Sequence, residues 1–345
     1  MAAVASASAR DLSRHGLSEE AAAAITGPDE KKIEADLKWL SGPNRHLLGW
    51  DDDAYPALLR RISNPPAALF VEGDPGFLWH PQVAIIGSRN PTSVGLEHAR
   101  DFAATLARRG MTITSGLASG IDTAAHVAAL DAGAATIAVN GTGLDVVYPA
   151  SSRAAARRIR LSGAMVSELP LGSPPRRQHF PSRNRIISGL SLAVLVVEAG
   201  LNSGTLITAR KAGEQGRDVF ALPGSLHNPM AKGCHRLIRE GARLVETAAD
   251  ILQELGPLAT ELKMEIRQQL KQAETSTDKP PMVVRDLLDD PEYKALWEAL
   301  AHDAKPVDLL IEETGISASA VSSMLLMMEL RGMVRKQGAG HYLRA

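Results

Sequence analysis

The chain has 345 residues, 45% of them hydrophobic and 22% charged; this is ordinary globular composition, and the length predicts two or three domains. Its one cysteine excludes an internal disulfide and a multi-cysteine zinc site, and we predict neither a metal nor a cofactor. The formal net charge of −1 excludes a globally basic nucleic-acid binder, so any DNA contact requires positive charge concentrated in one place.

Residues 1–75 predict a small helical domain, SAM-like or helix-hairpin-helix-like. Ser18 is a suitable N-cap for an Ala-rich helix over 18–25, and residues 29–40 predict another helix. Prolines and glycines then punctuate a short β-like run at 68–72. The Ala- and Ser-rich start lacks the pattern of a signal peptide, and no apolar run is long enough to cross a bilayer, so we expect a cytoplasmic protein without a membrane partner.

Residues 76–258 alternate apolar strand candidates with helical stretches. The predicted strands are 83–87, 111–115, 136–140, 164–168, 193–198, 218–222 and 243–245. Strands that are apolar throughout and separated by helices indicate a parallel sheet covered on both faces. We therefore predict an α/β fold with a Rossmann-like, doubly wound, mostly parallel sheet, whose ligands bind at the carboxyl ends of the strands.

Residues 259–289 predict a linker, and residues 290–345 predict a winged-helix domain. Helices at 291–302, 307–314 and 317–331 precede a β-hairpin, which is the element order of that fold. The helix in the recognition position is rich in apolar residues and serine, whereas base reading requires arginine, lysine, asparagine or glutamine. We expect this domain to contact protein or the DNA backbone rather than to read bases.

Glycine- and serine-rich turns follow several predicted strands, where the free N–H groups of a following helix favour anions. Arg89 either adds a bidentate phosphate contact or forms a salt bridge within a tight turn. Several such turns at one sheet edge indicate a site more strongly than any single turn, which is usually structural. The candidate residues in these turns are Gly87, Ser88, Arg89, Ser119, Gly120, Ser203, Gly204 and Thr205.

Residues 174–185 predict a short basic loop. A guanidinium holds a phosphate while an aromatic ring stacks on any base, and aromatic residues make up only 4% of this chain. Phe180 either stacks on a base or packs under the loop, and the arginines either bind DNA or pair with Glu198 or Asp145. The candidate residues here are Arg177, Phe180, Arg183, Asn184 and Arg185.

Hydrolytic chemistry has little support in the sequence. The ten histidines are scattered without an H-E-x-x-H pattern, and neither Ser203 nor Ser225 lies in a G-x-S-x-G elbow. Cys234 is more typical of a small core residue than of a reactive thiol. We predict no catalytic residues, and hence a binding protein rather than an enzyme.

Four motifs together resemble the DNA-processing protein A (DprA/Smf) family. They are AIIGSR at 84–89, SGLASGID at 115–122, HFPSRNRIISGLS at 179–191 and SGTLITA at 203–209. Their order and spacing also fit, and the resemblance covers most of residues 44–255.

The resemblance implies a Rossmann-like core that binds single-stranded DNA, protects it and loads the RecA recombinase during natural transformation or recombination. It also implies a homodimer and, as a further partner, a single-strand-binding protein. By motif match, Arg89 and Arg177 would hold phosphates and Phe180 would stack on a base. The backbone of 87–88 and 119–120 would line the pocket.

The alternative is a Rossmann-like nucleotide-binding enzyme, a nucleotide-sugar hydrolase similar to the LOG phosphoribohydrolases. Those proteins carry a Pro-Gly-Gly-x-Gly-Thr loop followed by a catalytic acid. Residues 198–205 here are EAGLNSGT, which lacks the acid after the loop. This departure argues against hydrolysis, although Glu198 leaves the alternative open.

Overall fold

The computed structural model describes residues 7–256, 291–300, 304–330, 334–336 and 341–344. The predicted linker at 259–289 lies outside these ranges. Within them, no helix is both long enough and apolar enough to cross a membrane.

Three short helices come first: α1 (Ala9–Arg14), α2 (Glu19–Thr26) and α3 (Glu30–Leu40). Each begins after a side chain that accepts a hydrogen bond from an otherwise free N–H of the first turn; these caps are Ser8, Ser18 and Asp29. The predicted helices at 18–25 and 29–40, and Ser18 as a cap, are confirmed.

A nine-stranded sheet forms the body of the protein. Its strands are β1 (Arg45–Gly49), β2 (Ala68–Gly73), β3 (Gln82–Ile86), β4 (Thr112–Ser115), β5 (Thr136–Val139), β6 (Ala164–Ser167), β7 (Ala193–Val196), β8 (Asp218–Ala221) and β9 (Arg243–Leu244). Their spatial order is β1-β2-β6-β5-β4-β3-β7-β8-β9. In this spatial order, every pair of neighbouring strands between β6 and β9 is parallel. The strands predicted within 76–258 are therefore all present.

The direction of the strand order reverses at β3. The chain passes from β3 through β4 and β5 to β6 on one side, and then returns to β7, which pairs with β3 on the other side. The connections that leave β3 and β7 therefore diverge at the carboxyl ends of these strands. Such a switch point opens the crevice where α/β proteins bind their ligands.

Helices cover both faces of the sheet. They are α4 (Ala57–Arg60), α5 (Ser93–Arg108), α6 (Ile121–Asp131), α7 (Arg153–Ser162), α8 (His179–Leu190), α9 (Thr205–Glu214), α10 (Lys232–Arg239) and α11, which includes residues 248–256. Val83 and Ile85 pack with α5 and α6, whereas Ala84 and Ile86 pack in the core that contains α8 and α9. This double burial is the reason that the strands are continuous apolar runs in the sequence.

The two antiparallel strands β1 and β2 lie within residues 1–75 and extend the sheet that residues 76–258 form. β2 pairs with β6, placing Phe70 opposite Ser167, and β1 extends the sheet beside β2. Leu69 and Val71 of β2 are fully buried by this arrangement. The sequence predicted the β-like run but not its partner, because the pairing joins segments far apart in the chain and leaves no local pattern.

Three helices and a three-stranded sheet form the C-terminal domain. They are α12 (Pro291–Ala299), β10 (Lys305–Pro306), α13 (Val307–Thr314), α14 (Ala318–Leu330), β11 (Val334–Lys336) and β12 (His341–Arg344), with strand order β10-β12-β11. Leu296, Leu310 and Leu325 are among the buried residues of its own core. The predicted winged helix is confirmed, and β10 is the strand that the prediction missed.

A buried histidine makes the stability of this fold depend on pH. His126 of α6 is fully buried, and its Nδ1 lies 2.7 Å from the hydroxyl oxygen of Thr136. Burial, with a smaller effect of the positive charge of Arg183, lowers the pKa of His126 to about 3. Between the ordinary histidine pKa of about 6.5 and this value, the unfolded chain binds a proton that the folded chain does not, so acid favours unfolding.

We expect His126 to lower the free energy of unfolding by up to about 1.4 kcal/mol for each pH unit below about 6.5. His126→Asn keeps an N–H donor for Thr136 but removes the titration. Its urea midpoint should therefore change less between about pH 7.5 and about pH 5 than that of the wild type. Equal pH dependence of the two proteins would show that another group is responsible.

Candidate functional site

A cavity of about 1100 Å³ opens at the carboxyl ends of β3 and β7, at the topological switch point. Its wall includes the turn after β3, the segments before α9 and α10, and the first turns of α8. The predicted site residues that line it are Gly87, Ser88, Arg89, Arg177, Phe180, Arg183, Asn184, Ser203, Gly204 and Thr205. Ser119, Gly120 and Arg185 lie outside the lining.

Hydrogen bonds within the protein hold the turn after β3. The Ser88 hydroxyl accepts a hydrogen bond from the Asn90 N–H (3.1 Å), and the Ser88 carbonyl accepts one from the Ile121 N–H (3.2 Å). Gly120, with φ +82°, lies so close to that carbonyl that a Cβ would collide with it. Gly120 therefore supports the turn instead of lining the cavity.

Arg89 is exposed at the cavity and, among the described residues, its side chain forms no salt bridge or hydrogen bond. Its guanidinium carbon lies 5.7 Å from the centroid of the Phe180 ring. The salt bridge that the sequence left open as an alternative is therefore not formed. The five N–H donors of this guanidinium remain available to an anion.

The prediction that the basic segment at 174–185 is a loop is wrong for its second half, because α8 begins at His179. Pro181 does not prevent this, since it lies in the first turn, where its missing N–H would have no partner in the helix. Residues spaced three, four and seven apart share one side of a helix. On α8, the residues of this side that line the cavity are Phe180, Arg183, Asn184 and Ile187.

Phe180 is half-buried in the cavity wall and belongs to none of the hydrophobic cores of the sheet. Its ring centroid lies 5.4 Å from that of Tyr148, with an interplanar angle of 44°. A Cβ at Gly141 would come within 3.0 Å of the ring, so the glycine leaves space for it. The structure thus places Phe180 beside the cavity rather than under a loop, as base stacking requires.

Arg183 is buried beneath the cavity, with 5% of its surface exposed. Its Nη1 donates hydrogen bonds to the carbonyls of Gly116 (2.6 Å) and Val139. Burial lowers the pKa of Arg183 to about 10, and the negative charge of Asp122 opposes this shift. Asp122 accepts hydrogen bonds from the N–H groups of Gly116 (3.1 Å) and Ala118 (3.4 Å), and its own pKa is raised by burial. The main contacts of Arg183 are therefore with the protein.

Arg185 lies on another side of α8 and pairs with Glu168 at 2.5 Å. The predicted alternatives, Glu198 and Asp145, are not its partners. Asp145 instead accepts a hydrogen bond from the N–H of Gly172 (3.0 Å). A role of Arg185 in the cavity has no support in this geometry, because the salt bridge holds its side chain outside the lining.

The loop before α9 is tied to the turn after β3. The Thr205 hydroxyl donates to the Gly87 carbonyl (3.0 Å), and the Ser203 hydroxyl accepts from the Thr205 N–H (3.2 Å). These side chains therefore brace the part of the cavity wall to which their residues belong. Gly204, which lies between them, has no side chain to cover the backbone there.

Sequence reasoning missed several residues of the cavity wall, among them Tyr148, Asn202, Met230 and Lys232. Lys232 is exposed at the first position of α10. The turn at 223–225, which follows β8 and contains a glycine and a serine, is the signal in the sequence that points to this part of the wall. Together with Arg89 and Arg177, Lys232 gives the wall three exposed cations, and within the described part of the chain Asp122 is the one acidic residue that lines it.

Glu198 caps a helix and does not line the cavity. Its carboxylate accepts hydrogen bonds from the Thr92 N–H (2.9 Å), the Thr92 hydroxyl (2.6 Å) and the Asn228 side chain (3.2 Å). It is 6% exposed and lies at the start of α5, where a negative charge is stabilised. The acid that left the hydrolase alternative open thus has a structural role. The described residues contain no cluster of side chains suited to a metal ion.

A switch-point cavity with exposed cations, an aromatic wall and little negative charge defines a Rossmann-like protein equipped to bind anions that carry aromatic groups. Residues 46–256 match the family described as DNA recombination-mediator protein A, and residues 274–340 match the DprA winged helix domain. The chain belongs to this DprA/Smf family. The winged-helix match begins at residue 274, before the predicted start at 290.

Relatives agree with this assignment across most of the chain. Protein Smf of Escherichia coli (strain K12) is 42% identical over 337 aligned residues, covering 96% of this chain and 86% of that protein. The X-ray structure of DNA processing protein A from Streptococcus pneumoniae has a TM-score of 0.66 and 39% identity, covering 71% of this chain and 86% of that one. DNA processing protein A from Helicobacter pylori is reported for its single-stranded DNA binding mode. Its structure has a TM-score of 0.54 and 32% identity, covering 58% of this chain and 92% of that one.

The two cavity arginines of different burial should respond differently to the same substitution. Arg183→Gln leaves the carbonyls of Gly116 and Val139 short of donors and Asp122 without its cation, so we expect a loss of about 3 kcal/mol in the free energy of unfolding. Arg177→Gln, at an exposed position, should change it by less than about 0.5 kcal/mol. Urea unfolding measures both, and equal stability of the two variants would contradict the structural role of Arg183.

Proposed function

We propose that this chain binds single-stranded DNA in the switch-point cavity and, as a binding protein without catalysis, protects it and loads the RecA recombinase onto it. The observation that carries the proposal is the unpaired guanidinium of Arg89 beside the accessible ring of Phe180. One group offers donors to a phosphate and the other offers a face to the neighbouring base.

Phosphates would be held by the exposed cations Arg89, Arg177 and Lys232, and by backbone N–H groups of the wall. A base would stack on Phe180. Neither contact identifies the base, because every base has a π-face and every nucleotide carries a phosphate, so binding is expected to depend little on sequence. The net charge of −1 is compatible with this mode, since the described residues that line the cavity include three exposed cations and one acidic residue.

The aromatic wall favours single strands over duplex DNA. In a duplex, the faces of the bases are already stacked on one another, and freeing one costs a few kcal/mol. A single strand offers its bases without that cost. The Helicobacter pylori relative, reported for its single-stranded DNA binding mode, supports the same preference here.

Family membership supports the wider role. The matched family is described as a DNA recombination mediator, which is consistent with delivery of the bound strand to RecA during transformation or recombination. We further propose that the chain acts as a homodimer in the cytoplasm, with a single-strand-binding protein as a further partner.

The absence of catalysis is tested by incubation with nucleoside 5′-monophosphates. Because Glu198 is engaged as a helix cap, we expect no release of free base above the background without protein. Base release that disappears in Glu198→Gln would instead establish the hydrolase alternative.

Arg89→Ala should weaken binding to single-stranded DNA by about 1–3 kcal/mol, because a charged hydrogen-bonding partner of the phosphate is lost. The slope of affinity against salt concentration should also become shallower, by about one phosphate contact. Fluorescence anisotropy with labelled single-stranded and duplex oligonucleotides over a salt series measures both. Arg100→Ala, an exposed arginine of α5 outside the cavity lining, is the matched control. Unchanged affinity in Arg89→Ala would remove this residue from the site.

Phe180→Ala should weaken binding by about 1–3 kcal/mol for oligonucleotides of different base sequence alike, because stacking is lost. The salt dependence should stay as in the wild type, since no charge changes. Circular dichroism and urea unfolding serve as the folding control. A variant that binds normally would exclude Phe180 as the stacking residue.

A further inference from the structure

A second aromatic side chain is exposed in the same cavity. Tyr148 retains 45% of its accessible surface and contributes to the cavity wall. Aromatic residues are only 4% of the chain, and two of them lie here with their ring centroids 5.4 Å apart. An aromatic ring left in water forgoes the free energy of burial, so a ring that is held exposed beside a cavity is a candidate contact for a ligand.

The loop that carries Tyr148 is held in place by other residues. The Thr142 hydroxyl donates a hydrogen bond to the Val146 carbonyl (2.6 Å), and the Ser152 hydroxyl donates one to the Leu117 carbonyl (3.1 Å). Leu144 is completely buried and anchors the same loop. Because these contacts position the loop, the ring of Tyr148 is not needed for packing and remains available.

The geometry of the two rings decides how they can be used. A base inserted between two parallel rings requires their planes to be about 7 Å apart, which is two van der Waals separations. Tyr148 and Phe180 are closer than that and are inclined at 44°, so no base fits between them. The rings instead form one continuous, angled surface, whose two parts can each receive a base from the cavity.

We propose that Tyr148 is a second stacking residue, which holds the nucleobase adjacent to the one on Phe180. This inference rests on the proposed binding of single-stranded DNA. The ring carries the interaction, and its hydroxyl is dispensable. Two neighbouring bases are then bound through their faces, while Arg89, 5.7 Å from the Phe180 ring, lies within reach of the phosphate that joins them.

The test compares two ligands that carry the same number of phosphates. One is an oligothymidylate of about twelve nucleotides, and the other is an abasic deoxyribose-phosphate oligomer of equal length. Tyr148→Leu should weaken binding of the oligothymidylate about 5- to 150-fold, the effect of one stacked base, and should leave binding of the abasic oligomer unchanged. Arg89→Ala should weaken binding of both ligands.

Two further variants isolate the ring. Tyr148→Phe keeps the ring and should bind the oligothymidylate as the wild type does. Trp50→Leu removes an equally exposed aromatic side chain (46%) outside the cavity lining and should have no effect. Circular dichroism confirms that each variant is folded.

Each remaining outcome overturns the inference in a distinct way. Unchanged oligothymidylate binding in Tyr148→Leu, together with a loss in Phe180→Leu, would leave a single stacking residue. An equal loss for both ligands would make Tyr148 a structural residue, and a loss in Tyr148→Phe would transfer the effect to its hydroxyl. If wild-type protein binds neither ligand, the proposed function fails together with this inference.

Discussion

The cavity is assembled around a buried positive charge. The guanidinium of Arg183 donates to the carbonyls at the ends of two strands, and the negative charge of Asp122 partly offsets its positive charge. A charge buried in this way is tolerated only when its donors are satisfied, so the strand ends and α8 have to keep one relative position. Since Phe180 lies one helical turn from Arg183, that constraint also sets the position of the ring.

Helical geometry divides the basic segment into two roles. Arg183 and Arg185 are two positions apart and therefore point to different sides of α8, one toward the cavity floor and the other toward Glu168. Arg177 precedes the helix and remains exposed. The structural cations are thus separated from Arg89, Arg177 and Lys232, which keep their charge for a ligand. A chain with a net charge of −1 can in this way present a local positive field.

The polar side chains around the cavity mostly hold the wall together. Ser88, Ser203 and Thr205 bond to neighbouring backbone or to each other, and Glu198 caps α5. Among the side chains of the wall without such a bond are the cations Arg89, Arg177 and Lys232 and the two aromatic rings. This division is consistent with the proposed binding of a strand through its phosphates and base faces. A rigid wall also reduces the conformational entropy that binding would otherwise cost.

The sequence by itself determined the α/β class, the strands from β3 to β9, the winged helix and ten of the residues that line the cavity. These features follow from local patterns: apolar runs buried on both faces, and glycine-rich turns at the ends of strands. Only the tertiary structure decided that β1 and β2 join the sheet, that α8 begins at His179, and that Arg185 faces away from the cavity while Tyr148 and Lys232 face it. These outcomes depend on pairings and burial between distant segments, which no local pattern records.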